Sequence, residues 1–485
     1  MKRVFLVLTF VLMAALLVSV VSAQGIPGAG WWSGQQVQNV GDSSATVLVT
    51  AYDSASANTY TASQPVAAGA AFTFTPLNSF PTMPAGFQGS AIVSADQPIK
   101  AIVNVTNQPA GGLGVAGGKA AAQYQGTDGS ATANTLYFPL AKGNHFGKTT
   151  SFYIQNAGNA AATGVVATFT MRNGDVHSYN VPSIGVGQRV VFSVQNSPTY
   201  NPSTNNGRVG SLVVTGAQPL AGVVMEHDTT ANPATVLNST RGFTSADFSS
   251  KAYAPVIKSA RFGRFTGLQV QNVSGAAIDV TVNYVGTSPN CSGVTATDSA
   301  TGVAAGASVT FVHLAGSTNL QANCTASATI TGTGDFVAIV NEQETAGSLK
   351  AGITYSAMSD NATTNSVSVP LFKSTRFGAT TGLQIQNVGA AAATNWSATF
   401  TCTGGSSFTA VSDVSKTGPI AAGGAFLFYI PQNQNYFTAG NPFSSGNVNC
   451  AVIIDSDQPI VAIANETPTT AGALDDNNYE GFNIP

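Results

Sequence analysis

The sequence predicts an all-β protein made of tandem antiparallel β-sandwich domains, and three observations carry that prediction. A set of short landmarks recurs at near-constant spacing. The stretches between them are short, alternate apolar with polar residues, and are separated by turn residues. Charged residues make up 8% of the 485, about a third of the usual share, while apolar residues reach 44% and Gly numbers 51. A chain this rich in Val, Ile and Phe can bury a core, so disorder is excluded.

The repeat is the first element to establish. A strand ending in Gln-Asn occurs four times, as GQQVQNVG, TSFYIQNAG, TGLQVQNVSG and TGLQIQNVG. Its residues are Gln38-Asn39, Gln155-Asn156, Gln271-Asn272 and Gln386-Asn387, with the asparagines 117, 116 and 115 residues apart. A small-residue turn before an apolar stretch recurs at Gly69, Gly187, Gly306 and Gly423. A pair of apolar runs around a turn follows, as in GSAIVSADQPIKAIVN and NCAVIIDSDQPIVAIANE. A unit of this length is domain-sized rather than a solenoid repeat.

Within the last unit the strand-like runs are VPLFK, GLQIQN, WSATFTCT, SFTAVS, AFLFYI, NCAVII and PIVAIAN. Seven short strands without a helical-period segment predict four immunoglobulin-like sandwiches, over 24–110, 135–230, 251–345 and 367–470. The first sandwich lacks a first strand. Linkers over 111–134, 231–250 and 346–366 contain Tyr124, Phe243 and Tyr355, and are expected to be ordered spacers packed on their neighbours. The tail, 471–485, stops where a further first strand would begin. An open edge and such a tail together suggest head-to-tail strand addition, which makes a filament if it does not close. In each Gln-Asn strand the Asn is expected to bond the backbone of the following turn. The four Gln side chains are expected to point outward as a repeated contact surface.

The first 23 residues read as a signal peptide: Lys2-Arg3, an apolar run, then Val21-Ser22-Ala23 before Gln24. An uncleaved membrane anchor is the alternative. No later run is long enough to span a bilayer, so no transmembrane segment is expected in the mature chain. The formal net charge is −3, and about −5 once Lys2 and Arg3 are removed. No basic run exists, which excludes nucleic acid as a partner. Four cysteines in an exported chain suggest disulfides. Cys291 and Cys402 each follow the third strand of their unit, and Cys324 and Cys450 each open the sixth. That equivalence selects Cys291–Cys324 and Cys402–Cys450.

The residues point away from catalysis and from any cofactor. The four histidines occupy non-equivalent places, and no metal-ligand spacing appears. Glu226-His227-Asp228 alternates across a strand and reads as a polar strand end. Gly112-Leu-Gly114-Val-Ala-Gly117 matches a dinucleotide fingerprint but is followed by no helix. Carboxylates such as Asp455, Asp457, Asp475 and Asp476 read as solvated turns or linker residues. Aromatic loops before the sixth strand place Tyr200, Tyr436 and Phe437 as possible contacts for a sugar or another subunit.

One charge pattern is informative in so neutral a chain. First strands PLAK, PVIK and PLFK carry Lys142, Lys258 and Lys373, and last strands carry Glu226, Glu342 and Glu466. The first unit lacks both members and has Val105 in place of the Glu. Joint presence and absence predicts three partly buried ion pairs. The units also resemble tandem immunoglobulin-like modules of bacterial surface and adhesin proteins. That resemblance implies a Lys–Asn crosslink in some modules, with Asn341 and Asn465 as partners here and Met225 in the place of the Asn in unit two. The expected function is a non-enzymatic, secreted structural or adhesive component of a cell surface, self-associating or contacting polysaccharide. A carbohydrate-binding array is the second reading and a secreted hydrolase the third.

Overall fold

The computed structural model describes residues 25–229, 236–314, 316–344, 352–403, 407–430, 436–438, 440, 442–443, 446–469 and 476–484. Residues 1–24, which hold the expected signal peptide, and Asp475 lie outside them. The described chain is all-β, with several antiparallel sheets. Alternation dictates this: in Ala45–Asp53 every other residue through Ala51 is buried, and Val47 and Val49 are fully enclosed.

In the first repeat two sheets face each other. One runs Ala71–Phe74, Trp32–Asn39, Ile99–Thr106, Ala121–Gln125, and the other Thr59–Val66, Ala45–Asp53, Gly89–Ala95. In the second repeat one long strand, Val209–Asp228, serves both layers. Its first half pairs with Val166–Met171 and Ala133–Lys142, its second half with Lys148–Asn156 and Leu237–Arg241. Cys324–Glu344 and Val448–Pro468 do the same in the third and fourth repeats. First strands in these three repeats carry a register shift around Pro139, Pro255 and Pro370. Proline is tolerated at a bulge because no ladder N–H is needed there.

Each repeat has its own apolar cluster, such as Phe138, Phe152, Phe169 and Phe192 in the second and Phe372, Phe400 and Phe428 in the fourth. Disulfides join Cys291 to Cys324 and Cys402 to Cys450. The linkers supply strands Ala121–Gln125, Leu237–Arg241 and Gly352–Ser356, each paired with the last strand of the preceding repeat.

The C-terminal segment departs from expectation. Asn477–Glu480 pairs with the second half of Val448–Pro468, and Phe482–Ile484 pairs with Ser366–Ser368. It is therefore used within its own repeat, as the fourth member of the linker-strand set. These four strands pack in a closed cycle: Ala121–Gln125 on Leu237–Arg241, that on Gly352–Ser356, that on Asn477–Glu480, and the last back on the first. Apolar contacts seal each step. Met225 and Leu237 meet Val105 and Ala122; Leu140 meets Val337 and Ile339; Val461 and Ile463 join the third core; Ile102 joins the fourth. A head-to-tail contact that closes makes a ring rather than a filament.

Candidate functional site

The four Asn joints share one geometry. Asn39 donates to Ser43 O at 2.7 Å and Val66 O at 2.9 Å, and its side-chain oxygen accepts from Gly41 N at 2.9 Å. Asn156 makes the same three contacts with Ala160, Ile184 and Gly158, at 2.7, 2.9 and 2.9 Å. Asn272 and Asn387 repeat the set with Ala276, Val303 and Ser274, and with Ala391, Ile420 and Gly389. All four are fully buried. Each side chain thus shapes its own turn and also ties a second chain segment. We expect Asn272→Ala to cost about 2–4 kcal/mol, because the buried carbonyl contact to Val303 and the part-buried contacts to Ala276 O and Ser274 N are lost from a fully buried side chain. Urea unfolding of the variant measures it; a change below about 1 kcal/mol contradicts this role.

The glutamines beside them do not face solvent. Gln38, Gln271 and Gln386 are fully buried and Gln155 partly so. Each donates to the turn glycine of its own repeat: Gly69, Gly187, Gly306 and Gly423, at 3.1–3.4 Å. Those turns lie at contacts between repeats. Ser90, Ser211 and Ser327 donate to Gly187 O, Gly306 O and Gly423 O of the following repeat, at 2.5, 2.7 and 2.7 Å. Ser368 of the fourth repeat donates to Gln38 Oε1 of the first at 2.5 Å. The face expected to meet a partner is occupied by the neighbouring repeat, since the ring closes over it.

Charge collects at the same contacts. Lys142 Nζ lies 2.6 Å from Glu226, Lys258 2.8 Å from Glu342 and Lys373 2.7 Å from Glu466. Lys148 and Arg264 add second cations to Glu226 and Glu342, at 3.1 and 2.9 Å. Burial pushes the Glu226 carboxyl up, but Lys142 and Lys148 outweigh it and hold it at about 2. Lys258 and Arg264 likewise hold Glu342 below its ordinary value against burial. Burial pushes Lys142 down. Asn341 Nδ2 donates to Glu226 of the neighbouring repeat at 3.3 Å, whereas Lys258 sits on Glu342. Adjacent strand residues diverge, so Lys258 and Asn341 are engaged on different carboxylates.

Asp476, read as a solvated linker residue, is buried and paired with Arg264. Burial raises its carboxyl. The run Glu226-His227-Asp228 is also buried, with His227 Nε2 3.0 Å from Ser151 Oγ.

A cavity of about 270 Å³ is lined by residues of all four repeats. One equivalent residue from each linker-type strand lines it: Gln125, Arg241, Ser356 and Glu480. Arg241 is held by Asp247 at 2.5 and 2.9 Å, and Glu480 accepts from Ser356 N. Among the described residues no group of three His, Cys, Asp or Glu is placed to hold a metal ion, and no helix is long and apolar enough to cross a membrane.

The aromatic loop residues are not presented outward. Tyr436 and Phe437 are each 5% exposed and pack into the fourth core. Tyr200 is half-buried, with its hydroxyl donating to Gly143 O at 2.9 Å. Tyr436 and Phe437 belong to the fourth core, and Tyr200 packs against the second.

A different aromatic set is exposed. Phe146, Phe262 and Phe377 are 72%, 78% and 70% accessible. Each opens a tight turn between the first and second strands of its repeat, closed by bridges His145–Lys148, Arg261–Arg264 and Arg376–Ala379. Both central residues of each turn have positive φ: 49° and 74°, 53° and 70°, 52° and 72°. Such turns favour Asn-Gly, and a phenylalanine there costs about 1–2 kcal/mol. Arg261 and Arg376 stack over their rings at 4.3 and 4.6 Å, and His145 lies 4.4 Å from Phe146. The signal was present in the sequence as HFG, RFG and RFG, 116 and 115 residues apart. It went unread because strand and turn landmarks, not outliers within turns, defined the repeat.

No family model matches this chain, and no curated protein matches it. Among solved structures, the infectious bursal disease virus VP2 subviral particle aligns at 10% identity over 97% of this chain and 85% of that one, with a TM-score of 0.10. A likeness at that level carries no argument about fold or function.

Proposed function

We propose that this protein is a secreted, non-enzymatic structural or adhesive component of a cell surface, built from four immunoglobulin-like sandwiches over 24–110, 135–230, 251–345 and 367–470 behind a signal peptide. The single observation that carries the reading is the set of three strained, exposed phenylalanines. Strain held at equivalent positions in three repeats is retained for a purpose outside the fold. A closed cycle of like contacts has no rise along its axis, so equivalent turns share one end of the ring. Three apolar tips at one end suit a multivalent surface contact, where weak sites add through effective concentration. Two disulfides are consistent with an oxidising, extracellular setting. The sugar-array reading loses ground, because Tyr436 and Phe437 are enclosed.

The test replaces all three rings, as F146N/F262N/F377N. Asn relieves the turn strain, so stability is expected to hold or rise by about 1 kcal/mol per site. Co-sedimentation with purified peptidoglycan and with anionic lipid vesicles reads the contact. We expect the wild-type chain to be retained by one of these surfaces and the triple variant to lose about ten-fold or more of that retention. Equal retention of the two chains would remove the carrying observation.

A further inference from the structure

In the second, third and fourth repeats the first strand lies along the sixth-strand half of the long strand. Leu136 opposes Val214, and Phe138 opposes Leu212. Val367 and Val369 take the same places opposite Ile454 and Val452. In the first repeat the corresponding strand is Gly89–Ala95, which pairs on one side with Ala45–Asp53. Among the described residues no strand pairs with its other side.

The core records the difference. Leu212 and Val214, Ala328 and Ile330, and Val452 and Ile454 are 0–1% exposed, while their counterparts Ala91 and Val93 remain partly exposed. Tyr60, Phe72 and Phe87 beneath them are only partly covered as well. The edge also lacks the usual defences. The strand GSAIVSA holds no charge and no proline, and natural sheets guard a free edge with one or the other.

The place is continuous with an interface the protein already builds. At two other contacts between repeats a glutamine of one repeat reaches the bulged proline of a neighbouring first strand. Gln269 donates to Pro139 O at 2.6 Å, and Gln36 to Pro370 O at 3.4 Å. At the matching position the second repeat has Tyr153, whose hydroxyl accepts from Ile26 N at 3.2 Å and whose ring lies under Arg189. Only the start of the edge is held by that repeat, through Arg189 Nε to Gly89 O at 2.7 Å and Ser90 Oγ to Gly187 O at 2.5 Å.

We propose that Gly89–Ala95 is an acceptor edge for an extended strand donated by a different protein. The three native first strands specify the donor: antiparallel, with aliphatic or aromatic side chains at alternating inward positions. Ala133–Lys142, Ser249–Ser259, Thr364–Ser374 and the C-terminal strands are all paired within their own repeats. Among the described residues a second copy of this chain therefore has no such strand to spare.

The test uses the full chain and a fluorescein-labelled peptide copying residues 133–142 as surrogate donor. We expect saturable binding by anisotropy and slowed hydrogen exchange across Gly89–Ala95. Two further peptides carry N-methyl groups on one or the other alternating set of amides. Only one set faces the acceptor, so we expect one peptide to bind about ten-fold or more weakly and the other to retain affinity. Val93→Lys in the protein should weaken binding similarly, and the methylated peptides keep the test independent of how that variant folds. Three outcomes overturn the proposal. The peptide fails to bind, as it would if the edge is filled from within the chain; both methylated peptides bind alike; or the chain is a dimer that Ile92→Lys dissociates, which assigns the edge to self-pairing.

Discussion

Glu226→Ala is expected to destabilise the protein by about 3–5 kcal/mol, because it strands two buried cations without an anion. Lys142 and Lys148 both depend on that carboxylate, and the side chains of all three are at most 9% exposed. Asn238 and Asn341 also lose an acceptor. The equivalent changes should cost less, each for a stated reason. In Glu342→Ala, Asp476 remains beside Arg264 to take part of the charge. In Glu466→Ala, the freed Lys373 is 15% exposed and gains water. Urea midpoints that do not rank Glu226 first would refute the argument. The same group predicts acid lability. Glu226 is held at about 2 in the fold, against an ordinary value of 4.5. The unfolded chain binds more protons between those values, so this contribution is complete above about pH 4.5 and is lost as pH falls toward 2. The contribution is about 3 kcal/mol. Unfolding free energy measured from pH 6 to pH 2 should fall in the wild type and stay flatter in Glu226→Gln.

Deleting Asp476–Ile484 is expected to open the ring. The segment contributes Tyr479, fully buried, whose hydroxyl accepts from Leu371 N at 2.9 Å and donates to Leu371 O at 2.5 Å. It also contributes the partner strand for Ser366–Ser368, the carboxylate on Arg264, and the carbonyls of Glu480 and Gly481 that accept from Gln125 Nε2. Loss of the tyrosine ring alone costs about 3–5 kcal/mol. Hydrogen exchange should accelerate in Ala121–Gln125 and Gly352–Ser356, which the segment does not precede in sequence, and the radius of gyration in solution should rise. Tyr479→Phe, which keeps the ring and removes the hydroxyl, should cost about 1–3 kcal/mol and leave the ring closed. Unchanged exchange in the first repeat after the deletion would show that the cycle does not depend on the tail.

Much of the local architecture was legible because local chemistry repeats with the domain. The Asn of each joint could be read as a turn-former from its position after alternating strand residues. Its second bond, to Val66, Ile184, Val303 or Ile420, could not, because that carbonyl arrives from 27–33 residues away. The Lys–Glu contacts were legible because two charges appear together in three repeats and are both missing from the first. Their additional partners, Lys148 and Arg264, have no equivalent in the fourth repeat and left no pattern to follow. The cysteine pairing followed from equivalent places in the third and fourth repeats.

The sequence by itself determined the all-β class, the period, the joints and the charges that need partners, since each depends on residues within one domain-length of one another. Only the tertiary structure decided that the outward glutamines are interior, that Tyr436 and Phe437 are core, and that the tail completes a hub instead of leaving it. Those outcomes depend on how the repeats rotate about one another. A head-to-tail contact has the same sequence signature whether it closes or runs on, and the angle that separates a ring from a filament is the sum of many small packing choices across four interfaces.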